Sequence, residues 1–548
     1  MTSLPIPSED TAADEELDGE SLALHPQFDF SSTAFVQAAA RFREPVHILR
    51  DRASGTVGVA FGEGSSPSAR THAVLASLAP VYPEWLGSQP FCETHGVRFP
   101  YVSGAMAHGI ASRQLVVAMA RAELMSFFGS AGLMPEDVES NIVAIDRELG
   151  QEGPSWGADL IHTPHDPSIE EALVDMYLSR GVRRVSASAF MRLTPAVVRY
   201  AATGLSLDPD GSIRRRNHLF AKLSRSETAS LFLSPAPEQL TGELVRRGVI
   251  SSTEAELAAR VPLAEDITVE ADSAGHTDNR PLVALLPTIF ALRDELEMLH
   301  HTVQTARIGA AGGIGTPTAV AAAFGLGAAY VMSGSVNQST VEAGTSALAK
   351  EMLAAAEPTD VAMAPSPDMF ELGVKVQVLK RGTLFASKAG LLRELYRTYD
   401  GIDAIPADTV ARIERDIFHR PLAEVWEETR GFFAERSPRE VERAEKDPKH
   451  KMALVFRWYV GLASHWAIRG VPDRKIDYQL WCGPAMGAFN RWVRGTFLAD
   501  LGHRSVVQVA LNLLEGACVA TRAQQLRSMG LPVPDAAFQY APRYLTYA

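Results

Sequence analysis

Between residues 98 and 335 the chain alternates short apolar runs with longer stretches whose apolar residues recur every three or four positions. The short runs are FPYVSGAM (99–106), ELMSFFGS (123–130), GADLIHTP (157–164), VRRVSASAF (182–190), HLFAKLS (218–224), DITVEAD (266–272), ARIGAAGG (306–313) and AAYVMSGS (328–335). Brief runs that are apolar on both faces read as strands of a parallel sheet, and the longer period between them reads as helix. Several runs end in Gly, Ser, Ala or a charged residue, as strand tips facing a ligand do. Eight strand–helix units predict a (β/α)8 TIM barrel with its active site at the C-terminal strand ends. Periodicity alone leaves a doubly wound open sheet as the alternative.

The flanks differ. PVHILRDRASGTVGVAFG predicts a small hairpin at residues 45–61 around a polar Arg-Ala-Ser-Gly turn. Residues 1 to about 40 are rich in Ser, Asp, Glu and Pro, which suits a disordered acidic leader. From about 390 onward, stretches such as VARIERDIFHRPLAEVWEETRGFFAE and SVVQVALNLLEGACVATRAQQLRSM carry only the helical period. The expected division is a leader at 1–40, a small N-terminal β segment at 41–90, a barrel at 91–390 and a helical C-terminal region at 391–548.

Charge narrows the partners. Asp+Glu outnumber Lys+Arg by 65 to 52, a net charge of −13, which argues against a general nucleic-acid or anionic-membrane binder. Cys92, Cys482 and Cys518 are too few and too far apart for a disulfide framework or a Cys-based zinc site. The N-terminal residues are too acidic for a signal or transit peptide, and no apolar run of the roughly 18 residues a span needs is expected. The expectation is a soluble, cytoplasmic protein.

The sharpest chemical signal is RIGAAGGIGTPTAVAAAFGLGAAYVMSGS. A strand runs into Gly312-Gly313, and Thr316-Pro317 then opens an alanine-rich helix with a good N-cap and Pro at its first position. The next strand ends at Gly334-Ser335, and Ser339 with Glu342 forms a capping-box pattern predicting a second helix N-terminus. Paired glycine-rich tips on the last two barrel strands form a phosphate site. A second signal is ITVEADSAGHTDNRP (267–281), where Ser273, Ala274 and Gly275 allow a flat ligand close to the backbone. His276 in that turn is suited to proton transfer near neutral pH, or it is a structural histidine bonded to a carboxylate. Lys222, in mid-strand, points at an anion or pairs with a carboxylate such as Glu270 on the next strand. His162 and His165, with Asp159 and Asp166, match no familiar metal spacing, and no metal is expected. Nor does Cys482 have a catalytic setting.

The blocks YVSGAMAHGIAS, ASAFMRLTPAVVRY, EADSAGHTDNRP, AAGGIGTPTAVAAAFGLGAAYVMSGSVNQ and IDYQLWCGPAMGAFNRWVRGTFL closely resemble the PfaD family. These are trans-acting enoyl reductases of polyketide and polyunsaturated fatty acid synthases. The resemblance runs from about residue 40 to the C-terminus, and the barrel part also resembles nitronate monooxygenases and FabK-type enoyl reductases, which are FMN-dependent TIM barrels. It implies FMN as cofactor, with its phosphate at Gly312, Gly313, Gly334 and Ser335. It further implies that the backbone at Ala105 and Met106 lies along the ring system, that Lys222, Glu270, Ala274 and Gly275 contact it, and that His276 is the catalytic histidine. At Asp159 the wider group carries an amide, and the turn reads Ala274-Gly275 where related barrels often have two glycines. The implied reaction passes hydride from NADPH through FMN to an enoyl thioester on an acyl carrier protein, within a synthase complex. Arg214-Arg215-Arg216 or Lys449-His450-Lys451 are the basic patches expected to receive that acidic carrier. The alternatives are a nitronate monooxygenase-type oxidase and a non-enzymatic docking subunit of a synthase.

Overall fold

A computed structural model describes residues 28–31, 33–61, 71–150, 153–164, 166–275, 277–367 and 369–546. Eight parallel strands close into a barrel: β1 (Tyr101–Ser103), β2 (Met125–Phe128), β3 (Gly157–Ile161), β4 (Arg184–Ser188), β5 (His218–Leu223), β6 (Asp266–Glu270), β7 (Arg307–Ala311) and β8 (Val331–Ser333). Each lies inside one of the apolar runs of the sequence. The ring closes where Ser333 of β8 sits opposite Ser103 of β1. Closure rather than an open sheet follows from this last pairing, which leaves no strand edge exposed.

The hairpin is present as Val46–Asp51 paired with Val57–Phe61, and strands Phe28–Asp29 and His72–Leu78 extend it to an antiparallel sheet of four. The leader is only partly as expected. Residues 1–27 lie outside the described region, but Ala34–Ala40 is a helix that buries Ala34, Phe35, Ala38 and Ala39. Its apolar face packs with Val46, Ile48, Val59 and Leu526, so these few hydrophobes find a core supplied from elsewhere in the chain.

After β1, helix α1 (Arg113–Arg121) starts at Ser112, whose Oγ accepts from Leu115 N at 3.2 Å. After β7, helix α2 (Pro317–Gly325) starts at Thr316, whose Oγ1 accepts from Ala319 N at 3.3 Å, the predicted cap. The division at residue 390 is corrected by the structure. It falls inside helix α3 (Phe385–Thr398), which shares a core with the hairpin β9 (Val361–Pro365) and β10 (Lys375–Leu379) and with the long helix α4 (Pro448–Arg469). Phe370, Val378, Phe385, Phe418, Phe456 and Tyr459 belong to this second core. The chain then returns: helix α5 (Val506–Ser528) packs between α2 and α1, the place of the eighth barrel helix. Residues 335–505 are therefore an insert in the last strand–helix loop, not a terminal appendage. A shared helical period cannot show that the final helix belongs to another core.

Contrary to expectation, α5 is long and apolar enough by composition to cross a membrane, and 83% of its most apolar window is buried in the protein. Burial on all sides against the barrel and the N-terminal helix explains that composition.

Within the insert, backbone contacts at some glycines leave no room for a side chain. A Cβ on Gly487 would lie 2.1 Å from Glu357 C and Pro358 N, whereas Gly461 in α4 faces open space. Gly487→Ala is expected to lower stability by about 1–3 kcal/mol. Gly461→Ala should be neutral or stabilise by up to about 1 kcal/mol. Parallel denaturant titrations of the two variants check both.

Candidate active site at the mouth of the barrel

One cavity at the C-terminal strand ends gathers the residues singled out in the sequence. Ala105, Met106, Lys222, Glu270, Ala274 and Gly275 line it. So do Gly312, Gly313, Gly334 and Ser335, from the tips of β7 and β8. Its glycines are there for shape. Gly312 has φ +85° and Gly313 φ +71°, backbone that side chains rarely adopt. A Cβ on Gly312 would also stand 2.7 Å from Ala271 C, while Gly313 and Gly334 border open space. A few residues on, α2 starts at Pro317, and the positive end of its helix dipole favours an anion.

The second helix N-terminus does not form as the capping-box pattern predicts. Ser335–Ser339 is a short 3-10 turn, and Ser339 Oγ donates to Val336 O while accepting from Arg504 Nη1 at 2.9 Å. Glu342 instead accepts from Val506 N at 2.9 Å, capping α5. The same residue pattern serves two different ends of the insert.

On the barrel floor Lys222 Nζ lies 3.0 Å from Glu270 Oε2, so the carboxylate-partner reading of Lys222 holds and both groups remain on the cavity wall. Glu270 Oε1 accepts from Ser273 Oγ at 2.7 Å. A Cβ on Gly275 would come within 2.5 Å of that same oxygen, which is why the turn carries glycine there. Asp159 is turned toward the backbone: its Oδ1 accepts from Ser130 N and Ser130 Oγ at 2.6 Å and from Ala131 N at 3.2 Å. Burial pushes this carboxyl above the usual range, opposed by those hydrogen bonds and by the charge of Lys222.

Sequence reading missed the opposite wall, which comes from the insert. Val376, Trp481, Gly483 and Ala485 face the cavity together with Gln338. Gln338 Nε2 donates to Trp481 O at 2.6 Å, and the Trp481 ring stacks on His108 at 5.8 Å and 23°. Gly315, two residues after Gly313, touches this wall so closely that a Cβ there would lie 2.2 Å from Ala485 O. The block around WCGPAMG carried the signal, but nothing in its spacing tied it to a barrel strand end. Cys482 is buried, and burial pushes its thiol up to about 12, which removes it as a nucleophile.

His276 and His165 lie outside the described residues. His162 Nδ1 is 2.8 Å from Glu170 Oε1, both side chains buried, and no cluster of three metal-ligating side chains exists among the described residues. Of the expected basic patches, Arg214 and Arg216 are exposed, whereas Arg215 between them is buried and donates to Pro262 O and Leu263 O; all three precede β5, at the end of the barrel opposite the cavity. Lys449 donates to Tyr399 O, His450 pairs with Glu440 at 2.8 Å and Lys451 covers the Trp426 ring, so that run is committed to the insert's own packing.

Residues 399–478, the helical part of the insert, match the family model described as "[Acyl-carrier-protein] S-malonyltransferase, inserted helical domain". The chain is 48% identical over 467 residues to one of the polyunsaturated fatty acid synthase proteins of Thraustochytrium sp., covering 83% of this chain and 31% of that protein. It is 42% identical to the polyketide biosynthesis protein PksE of Bacillus subtilis, covering 82% of this chain and 58% of PksE. The chain thus spans about a third to somewhat over half the length of these relatives. Among solved structures it resembles the enoyl reductase domain of MlnA, from the macrolactin biosynthesis cluster of Bacillus amyloliquefaciens. That likeness has a TM-score of 0.77 and 36% identity, over 81% of this chain and 99% of that domain. The chain belongs to the family of polyketide and polyunsaturated fatty acid synthase-related TIM barrels that includes this domain.

Proposed function

We propose that the chain is an FMN- and NADPH-dependent enoyl reductase acting on α,β-unsaturated thioesters presented by an acyl carrier protein, as part of polyketide or polyunsaturated fatty acid synthesis. The observation that carries this reading is the single cavity in which a glycine-built anion cradle, the Lys222–Glu270 pair and the small-residue turn before His276 meet. The cradle fits the phosphate of FMN: Gly313 and Gly334 leave open space at the N-terminus of α2. Gly312, Gly313, Gly334 and Ser335 would hold that phosphate, Ala105 and Met106 would flank the ring system, and Lys222, Glu270, Ala274 and Gly275 would contact it. When bound, FMN supplies the two-electron step by which hydride from NADPH reaches the β-carbon of the enoyl thioester.

The chain's own residues do the rest. Negative charge develops on the thioester oxygen and α-carbon as hydride arrives, and it requires donors and then a proton at the α-carbon. Lys222 is the one cation among the described lining residues, and Glu270 balances it, so the cavity does not hold a bare charge. His276 delivers the proton. Val376, Trp481 and Ala485 form an apolar wall that excludes water from the thioester. Exposed Arg192 and Arg280 sit on the loops following β4 and β6, on the cavity's end of the barrel, and receive the acidic carrier, whereas Arg225 after β5 is held by Asp278 at 2.6 and 2.7 Å.

Anaerobic NADPH oxidation by the FMN-loaded protein, with crotonyl thioester on a carrier protein, tests the reading. One saturated thioester per NADPH consumed is expected. Flavin that NADPH reduces but crotonyl thioester does not reoxidise, and that turns over only with oxygen and a nitronate, would assign an oxidase instead. His276→Ala should keep FMN binding and lose about 10²–10⁴-fold in kcat, the range of general-acid catalysis. The double variant Arg192→Glu/Arg280→Glu should raise KM for the carrier-bound substrate about tenfold and leave KM for a small crotonyl thioester unchanged. Steady-state kinetics with both substrates reads this difference.

A further inference from the structure

The turn Ser273-Ala274-Gly275 has almost no side chains with which to hold itself in place. Its described tethers converge on two carboxylates. Ser273 Oγ donates to Glu270, and Asn279 Nδ2, from the far side of the turn, donates to Asp272 Oδ1 at 3.0 Å and to Ser273 O at 3.3 Å. Asp272 Oδ1 is in turn gripped from outside the barrel by Gln377 of β10, whose Nε2 donates to it at 2.7 Å. Gln377 is 8% exposed. Its Oε1 has no hydrogen-bond partner among the described residues, and it lies 3.5 Å from where a Cβ on Gly483 would stand, beside Ser273 and Ala274. Turning the amide over would aim its oxygen at the Asp272 carboxylate, so the charge of Asp272 fixes which end faces it. A hydrogen bond to a carboxylate is among the stronger kind, and here, with Asp272 half-buried, it spans two separately packed cores.

We infer that Gln377 is a positioning residue by which the insert sets the geometry of the active-site turn, so that turn and insert wall act as one rigid unit. Its consequence for turnover rests on the proposed reductase reading, but the bond itself is tested without any substrate. Hydrogen exchange is followed by mass spectrometry in the peptide spanning residues 271–281 of the full chain. In Gln377→Glu two carboxylates face each other, and exchange there should accelerate about tenfold, the cost of one hydrogen bond to a charged group. Gln377→Met keeps the volume and removes the donor, should accelerate exchange likewise, and replaces the charged variant if that one does not fold. Gln377→Lys keeps a donor toward Asp272 Oδ1, which also accepts from Asn279, and should hold exchange within about twofold of the parent. Unchanged exchange in Gln377→Glu or Gln377→Met overturns the inference, and so does equal acceleration in Gln377→Lys, since a packing defect alone would give that. In the reductase assay Gln377→Glu should lower kcat about tenfold with KM for NADPH unchanged, and Gln377→Lys should keep it. Exchange that follows this pattern in a protein with no reductase activity would uphold the positioning role and sink the proposed reaction.

Discussion

The ring of helices around the barrel is completed from the far end of the chain, and the rest of the architecture follows from that one packing requirement. A helix must fill the gap between α1 and α2, and α5 fills it only after the chain has built residues 335–505. The insert is therefore fastened at both its ends to the cavity that it covers. Arg504, 1% exposed, joins exit to entry: its guanidinium donates to Ser339 Oγ, Asn490 Oδ1 and Leu498 O. Burial lowers this guanidinium to about 10, still charged at neutral pH, and neutral oxygens rather than a counter-ion satisfy it. With Glu342 capping α5 the two ends of the insert are held at the same point.

This arrangement makes the site a composite of two cores. The barrel supplies the cradle, the Lys222–Glu270 pair and the turn. The insert supplies Trp481, Gly483, Ala485 and the Gln377 side chain. Two of the contacts between them are made through glycine, at Gly315 against Ala485 and at Gly483 against Ser273, where backbone meets backbone without an intervening side chain. Such joints have little compliance, because interiors are close-packed.

The barrel was legible because its strands are largely buried on both faces and several run into small or polar residues, a pattern independent of partners far away in sequence. The Thr316-Pro317 helix start was legible for the same local reason. What required three dimensions was every feature whose partner lies in another core. The Ser339–Glu342 pattern was sound chemistry applied to the wrong helix, since Arg504 and Val506 compete for those side chains. Arg215 has the composition of surface charge, yet it is buried against Pro262 and Leu263 carbonyls. Lys222 left two readings open, and only the register Lys222 opposite Thr268, two residues before Glu270, brought the ion pair within reach. Trp481 and Gln377 lie more than a hundred residues beyond the turn they adjoin, and no periodicity reports such a contact.

The position of α5 also sets an order of events during synthesis. A ribosome delivers the chain from the N-terminus at about 5–20 residues per second. All eight strands have emerged well before residue 506, yet the helix that seals the ring has not. Throughout that interval the nascent barrel carries its complete glycine cradle beside an open apolar seam between α1 and α2, which the insert must fold fast enough to let α5 close. The barrel strands are thus made long before the ring of helices around them can be finished.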